Sequence, residues 1–256
     1  MRARELDLRK LNSMTKYPSI ETLHVIEKGR LQERSNGDAP VGQRLIATEK
    51  VDGTNTRILC LPDGSYFIGS REELLHFRGD LVFNPALGIV EAVRDVAEEI
   101  SAWCEPDRVV VWFGETFGGS IQSAKEYSAE KRTGFRLFDV MVLSAELVAT
   151  RLAMDLESIS RWRDGGGQTF VSDEELGARA AQRHLLRTPL LWEGESTALP
   201  HTLPAMLEFL RAKAPSTRCR LDTGSGSAEG LVVRTADRRW IRKARFEDYE
   251  RTLKNR

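Results

Sequence analysis

The sequence predicts an α+β fold in which antiparallel β-sheets are flanked by helices, and three features carry that expectation. Two apolar runs, residues 56–61 and 66–69, flank Pro62-Asp63-Gly64-Ser65, which has the composition of a hairpin turn. The runs at 109–113 and 135–142 are β-branched and aromatic, as buried strands are. Between about 144 and 225 the pattern changes to helical spacing, broken by Gly165-Gly166-Gly167 and by prolines.

Taken in order, the first forty-odd residues form a lead-in containing Lys16-Tyr17-Pro18-Ser19-Ile20 and a polar, turn-prone loop at 33–38. Leu45-Ile46-Ala47 reads as a short strand that delivers Lys50. After the hairpin, Asn84 to Trp103 has apolar residues at Leu87, Val90, Val93, Val96, Ile100 and Trp103, the spacing of one helix face, with Asn and Pro at its start. Helical patterns follow around 152–162, 172–186 and 203–213, the second opened by a Ser172/Glu175 capping box. We read 1–256 as a single domain with a mainly helical insertion at about 144–225. Residues 229–234 follow the last helical pattern, 239–245 supply the last strand, and the tryptophans are assigned to the core. The glycine-rich stretch near 224–227 lacks the Gly-Lys-Ser/Thr ending of a phosphate-binding loop and reads as a flexible connection.

Composition narrows the class. An apolar content of 41% in 256 residues allows a substantial core. No apolar run approaches the roughly 18–20 residues of a membrane helix, and the N-terminus lacks a signal-peptide core, so a cytoplasmic location without membrane association is expected. Cys60, Cys104 and Cys219, like the four histidines, are scattered, which argues against a disulfide framework or a zinc site. Thirty-eight basic and thirty-eight acidic residues cancel, against coating of nucleic acid by bulk charge. Residues 231–256, however, carry nine Lys or Arg against four Asp or Glu. Such a run is either a solvated face or part of a site.

The chemistry centres on Thr48-Glu49-Lys50-Val51-Asp52-Gly53-Thr54-Asn55. We read Lys50 as a nucleophile; the alternative is a surface lysine entering an Asp-Gly turn. A lysine with its ordinary pKa of about 10.4 is almost entirely protonated at neutral pH, so attack needs cationic neighbours or a metal. Chance alone yields Lys-x-Asp-Gly in a chain of this size roughly one time in twenty, so the tetrapeptide needs company.

Company exists. Lys50-Val51-Asp52-Gly53-Thr54-Asn55, Phe113-Gly114-Glu115, Phe135-Arg136-Leu137-Phe138-Asp139-Val140, Glu229-Gly230-Leu231-Val232-Val233-Arg234 and Ile241-Arg242-Lys243-Ala244-Arg245 span about four fifths of the chain. In this order they resemble motifs I, III, IIIa, IV and V of the covalent nucleotidyltransferase superfamily, which comprises ATP-dependent DNA and RNA ligases and mRNA capping enzymes. Asn55 resembles the RNA ligases, since the other branches usually carry arginine there.

The resemblance implies an adenylyltransferase (ATP-grasp-like) fold with the nucleotide in a groove between sheets. It implies an ATP-dependent RNA ligase in which Lys50 takes AMP from ATP, passes it to an RNA 5′-phosphate, and the activated end is joined to a 3′-hydroxyl. Lys243 and Arg245, alternating on one strand, would share the catalytic work on the phosphates. Glu49, Asn55, Arg71, Glu115, Phe138, Glu229 and Lys243 would bind the nucleotide, with Phe138 stacked on adenine or, on the plainer reading, simply filling core. Asp52, Glu115 and Glu229 would hold Mg2+ or Mn2+. Two departures matter: Arg245 replaces the usual second lysine of motif V, and the chain ends eleven residues later, too soon for the C-terminal OB domain of DNA ligases and capping enzymes. RNA binding is then expected to be salt-sensitive and to rely on the insertion, or on an end-healing or RNA-binding partner protein. The competing readings are a minimal DNA ligase or nick sealer, and a non-catalytic module binding nucleotide or RNA ends.

Overall fold

A computed structural model of the chain describes residues 5–78, 80–81, 88–224 and 226–254. Among these residues two antiparallel sheets carry the molecule. The larger runs β7 (Asp80–Leu81), β6 (Leu74–Phe77), β5 (Tyr66–Ser70), β4 (Thr54–Cys60), β8 (Arg108–Gly118), β9 (Thr133–Ser144). The smaller runs β10 (Leu190–Glu195), β3 (Arg44–Lys50), β11 (Gly230–Thr235), β12 (Ile241–Arg245), and a separate ribbon pairs β1 (His24–Glu27) with β2 (Arg30–Ser35). The expected hairpin is β4–β5, with Cys60 opposite Tyr66. At its tip Gly64 takes φ +78°, a left-handed conformation that favours glycine, and Ser65 donates its N–H to Asp63 Oδ1 at 3.0 Å.

Strand β8 reads as continuously apolar because it is buried on both faces. Val110 and Trp112 pack under α2 (Ile89–Ser101) and α6 (Asp173–Gln182). Val109, Val111 and Phe113 pack beneath α1 (Leu8–Met14), α4 (Ala145–Leu152) and α5 (Leu156–Asp164) on the opposite side. The smaller sheet buries Leu45, Ala47, Leu231 and Val233 against α7 (Leu203–Lys213) and α8 (Phe246–Leu253). A single turn of helix, α3 (Ala124–Tyr127), follows β8. None of the described helices is long and apolar enough to cross a membrane.

The differences from the sequence reading have local causes. The helical pattern around 152–162 is two helices, because Asp155 caps a new one by accepting the Ser158 N–H at 2.8 Å. Helix α2 occupies the Asn84–Trp103 pattern from Ile89 onward; residues 82–87 lie outside the described part. Trp112 and Trp240 are buried, but Trp103 is 61% exposed, its ring covered by the Arg183 guanidinium 4.8 Å from the centroid. It follows the C-terminus of α2 and has left the helix's buried face. Strand β10, inside the helical tract, has no clear alternation because it is a half-exposed edge strand. Ser172 does cap α6, accepting the Glu175 N–H at 3.2 Å.

One connection positions the site. Residues 51–53 cross from the last residue of β3 on the smaller sheet to the first of β4 on the larger. Gly53 is required by close approach: a Cβ there would sit 2.3 Å from the Thr116 carbonyl oxygen.

Candidate active site

Because β3, β11 and β12 are neighbours, their ends meet. Gly230 lies opposite both Lys50 and Arg245, and a Cβ on it would stand 2.0 Å from the Ala244 carbonyl oxygen. Across the sheet-to-sheet turn, Asn55 on β4 pairs with Glu115 on β8. A groove of about 370 Å³ opens between these walls. Eight of the ten residues singled out in the sequence line it: Glu49, Lys50, Asn55, Arg71, Glu115, Phe138, Lys243 and Arg245. Glu229 joins through Lys50, whose Nζ donates to Glu229 Oε2 at 2.5 Å. Asp52 does not line the groove; its carboxylate accepts from the Ser123 hydroxyl, and its N–H donates to Tyr127 Oη at 2.6 Å.

The reactive end is electrostatically unfinished. Burial pushes the Glu115 carboxyl up to about 8; Lys50 opposes that shift, while Glu229 and Asp52 reinforce it. Glu229 is likewise raised by burial, with Lys50 pulling it down. Lys243 is lowered by burial and then by the positive charges of Arg245, Lys50 and Arg71. Asn55 Oδ1 is buried with no hydrogen-bond partner among the described residues, an acceptor suited to a ligand donor. Arg71 is mostly exposed and donates to Ser19 Oγ at 3.0 Å.

Glu49 is differently employed. It is buried, accepting from the Thr217 hydroxyl and, at 2.8 Å, from the Arg218 N–H. Phe138 is half-buried, with its ring edge-on to Tyr17 at 5.0 Å. Beside it stands a cluster the sequence reading did not assign. Asp139 is wholly buried; it accepts from Tyr17 Oη at 2.9 Å and from Arg238, and Arg234 Nη1 stands 3.6 Å away. Arg234 also pairs with Asp173 at 2.7 Å, and Arg238 lies 3.6 Å over the Phe170 ring. Arg238 belongs to the basic run of the last quarter, the one signal that pointed here; nothing local marks Thr217 or Ser123.

Among the described residues no three His, Cys, Asp or Glu side chains are gathered so as to hold a metal. Glu115 and Glu229, both coupled to Lys50, fit a hydrated magnesium- or manganese-like ion carried mainly by phosphate oxygens, and not a closed protein cage. A wider cleft of about 570 Å³ between α1, α5 and residues 71–74 adjoins the groove, sharing Tyr17, Pro18 and Arg71.

A family model for RNA ligases matches residues 43–255. The chain belongs to the RNA ligase family. Its fold is similar to that of Naegleria gruberi RNA ligase: a mutant with ATP and Mn (TM-score 0.56, 19% identity, 93% of this chain and 62% of that one). A mutant of the same enzyme with AMP and Mn gives TM-score 0.55 at 19% identity over the same shares, and the enzyme with PPi gives 0.54 at 18%. The chain thus spans less than two thirds of the RNA ligase structures it resembles. No curated protein sequence matches it.

Proposed function

We propose that this member of the RNA ligase family is an ATP-dependent RNA ligase working through lysyl-AMP on Lys50. The observation that carries the reading is convergence: Lys50, Asn55, Glu115, Lys243 and Arg245, nearly two hundred positions apart at the extremes, share one groove, with Glu229 bonded to Lys50. In the first step the unprotonated Lys50 Nζ attacks the α-phosphorus of ATP, forming a P–N bond as the P–O bond to pyrophosphate breaks. Glu229 orients Nζ, and Lys243 and Arg245 face the charge that develops on the phosphoryl oxygens. An RNA 5′-phosphate oxygen then takes the AMP, returning the amine. A 3′-hydroxyl finally attacks the activated end, releasing AMP and leaving a phosphodiester.

Asn55, Arg71 and Phe138 would hold ribose, phosphate and base, and Glu49 would stand at the adenine edge. Mg2+ or Mn2+, held through Glu115 and Glu229, and through Asp52 if it exchanges its bond to Ser123, would neutralise the pyrophosphate leaving group. The resemblance in fold to RNA ligase structures with ATP, AMP, Mn and PPi supports these assignments. RNA would enter by the adjoining cleft, where Leu156, Ser160 and Arg163 of the 144–225 tract stand beside Arg9, Lys16 and Arg71. Broken ends of other chemistry would first need a separate end-healing partner. The setting we assign is the cytoplasm.

The test is incubation of purified protein with magnesium and α-labelled ATP or GTP, for wild type and Lys50→Ala, read by denaturing gel and intact mass. An AMP adduct on wild type that is absent from the variant is expected. A GTP-only adduct would point to capping chemistry. An unlabelled wild type whose mass excludes AMP already bound would overturn the reading in favour of a binding module.

A further inference from the structure

Arginine at 245 poses a physical problem. A lysine ammonium meets phosphate equally well from many directions, but a guanidinium is planar and directional, and on a free side chain it samples many rotamers. In this chain the side chain is not free. Arg245 Nε donates to Asp248 Oδ2 at 2.8 Å and Nη2 donates to Asp248 Oδ1 at 3.0 Å, a two-point fork. Asp248 is 1% exposed and sits in the first turn of α8, where the helix dipole favours a carboxylate. Its Oδ1 also takes Arg251 Nη2 at 2.7 Å, and its backbone carbonyl accepts from the Thr252 hydroxyl, which in turn accepts the Leu31 N–H at 2.9 Å. The acceptor is therefore anchored on two sides. Nε–H and one Nη2 proton are consumed, leaving Nη1 as the guanidinium nitrogen without a hydrogen bond among the described residues, on a side chain that lines the groove. Lys243, two residues earlier on the same strand, makes no ion pair among the described residues, as suits a point charge that needs no aiming.

Resting on the function proposed above, we infer that Asp248 is a positioning residue: it holds the Arg245 fork so that Nη1 faces the nucleotide phosphates. An arginine thereby does the work of a lysine at the end of β12. Aspartate at 248 and arginine at 245 act as one unit.

A double-mutant cycle over Arg245→Lys and Asp248→Asn tests this, with single-turnover labelling of Lys50 by α-labelled ATP and the rate separated from the ATP concentration dependence. Asp248→Asn in the wild-type background is expected to slow labelling roughly tenfold, the scale of one charged hydrogen bond. In the Arg245→Lys background the same change is expected to cost less than about twofold, because the ammonium needs no fork. Arg251→Ala, which removes one anchor of Asp248 but leaves the fork, should slow labelling less than Asp248→Asn does. Equal losses in both backgrounds, no loss in either, or a matching loss in Arg251→Ala would overturn the inference and leave Asp248 a packing residue of α8. Should Asp248→Asn not fold, Asp248→Glu keeps the charge but displaces the fork and carries the same comparison. A wild type that forms no adduct takes down the proposed function and this inference together, whereas a labelled wild type with an additive cycle removes only the inference.

Discussion

Two clusters of charge stand side by side, one lining the groove and one buried beside it, and they are built on opposite principles. Around Asp139 the carboxylate is closed: Oδ2 accepts from Tyr17 and Arg238, and Oδ1 accepts from the Val140 N–H at 3.2 Å with Arg234 Nη1 3.6 Å away, joining the larger sheet to the smaller sheet and the N-terminal segment. Around Lys50 the account is left open: Glu115 is buried and pushed to about 8, Asn55 Oδ1 lacks a partner, and Lys243 is crowded by like charge. A buried charge that is fully paired holds structure together, whereas an unpaired acceptor and crowded charges lining a groove are groups a ligand can complete. The first cluster is a clasp, and the second is the one we propose as the receptor for nucleotide.

That contrast can be broken by experiment. The clasp should fail as structure: Asp139→Ala leaves Arg238 buried beside no acid, and unfolding should cost about 3–5 kcal/mol less, read by urea denaturation. A loss under about 1 kcal/mol would mean the cluster is not load-sharing. The open cluster should fail as chemistry: Lys243→Ala is expected to slow lysyl-AMP formation roughly a hundredfold while shifting the melting temperature little, since no ion pair is lost. An unchanged labelling rate would remove Lys243 from the phosphate site. Phe138, which packs against Tyr17 and lines the groove, sharpens the distinction. Phe138→Leu keeps an apolar body beside Tyr17 and should weaken ATP binding about tenfold, with a smaller effect on the rate at saturating ATP; unaltered binding would return Phe138 to the core.

A last expected effect is one of pH. The Glu115 carboxyl is raised from 4.5 to about 8 in the fold, so the metal-free folded protein holds a proton that the unfolded chain releases. Its contribution to stability is complete below about 4.5 and is lost as pH rises through about 8. Glu115→Gln escapes that loss. In chelator, the melting temperature of the variant relative to wild type should therefore rise steadily between pH 5 and about pH 8 and level off above it. A difference that stays flat with pH would show that Glu115 is not held protonated.

Much of this was legible from residue order. Motif spacing from Lys50 to Arg245 led to eight residues that line one groove, and the hairpin at 62–65 followed from turn chemistry that acts over four residues. What escaped is instructive. Asp52 carries the right motif, yet its carboxylate is occupied by Ser123, seventy-one positions away, and Glu49 is held by Thr217 and Arg218 from a loop without any pattern of its own. Trp103 looks like the last step of a helix stripe, but the helix ends before it and the ring is left in solvent under Arg183.

Local periodicity, turn chemistry and the order of short motifs determined the central strands, the helices near 89–101, 156–164, 173–182 and 203–213, and the family, and they pointed to Lys50 as the nucleophile we propose, because those depend on interactions between residues close in sequence or on chemistry that demands particular side chains. Only the tertiary structure decided which carboxylates are spent on the protein itself and which remain for a ligand, that Asp139 clasps the two sheets, and that Asp248 aims Arg245. Those outcomes depend on burial and on partners contributed by distant segments, and the cost of leaving a buried polar group unpaired is set by the whole fold and not by its neighbours in the chain.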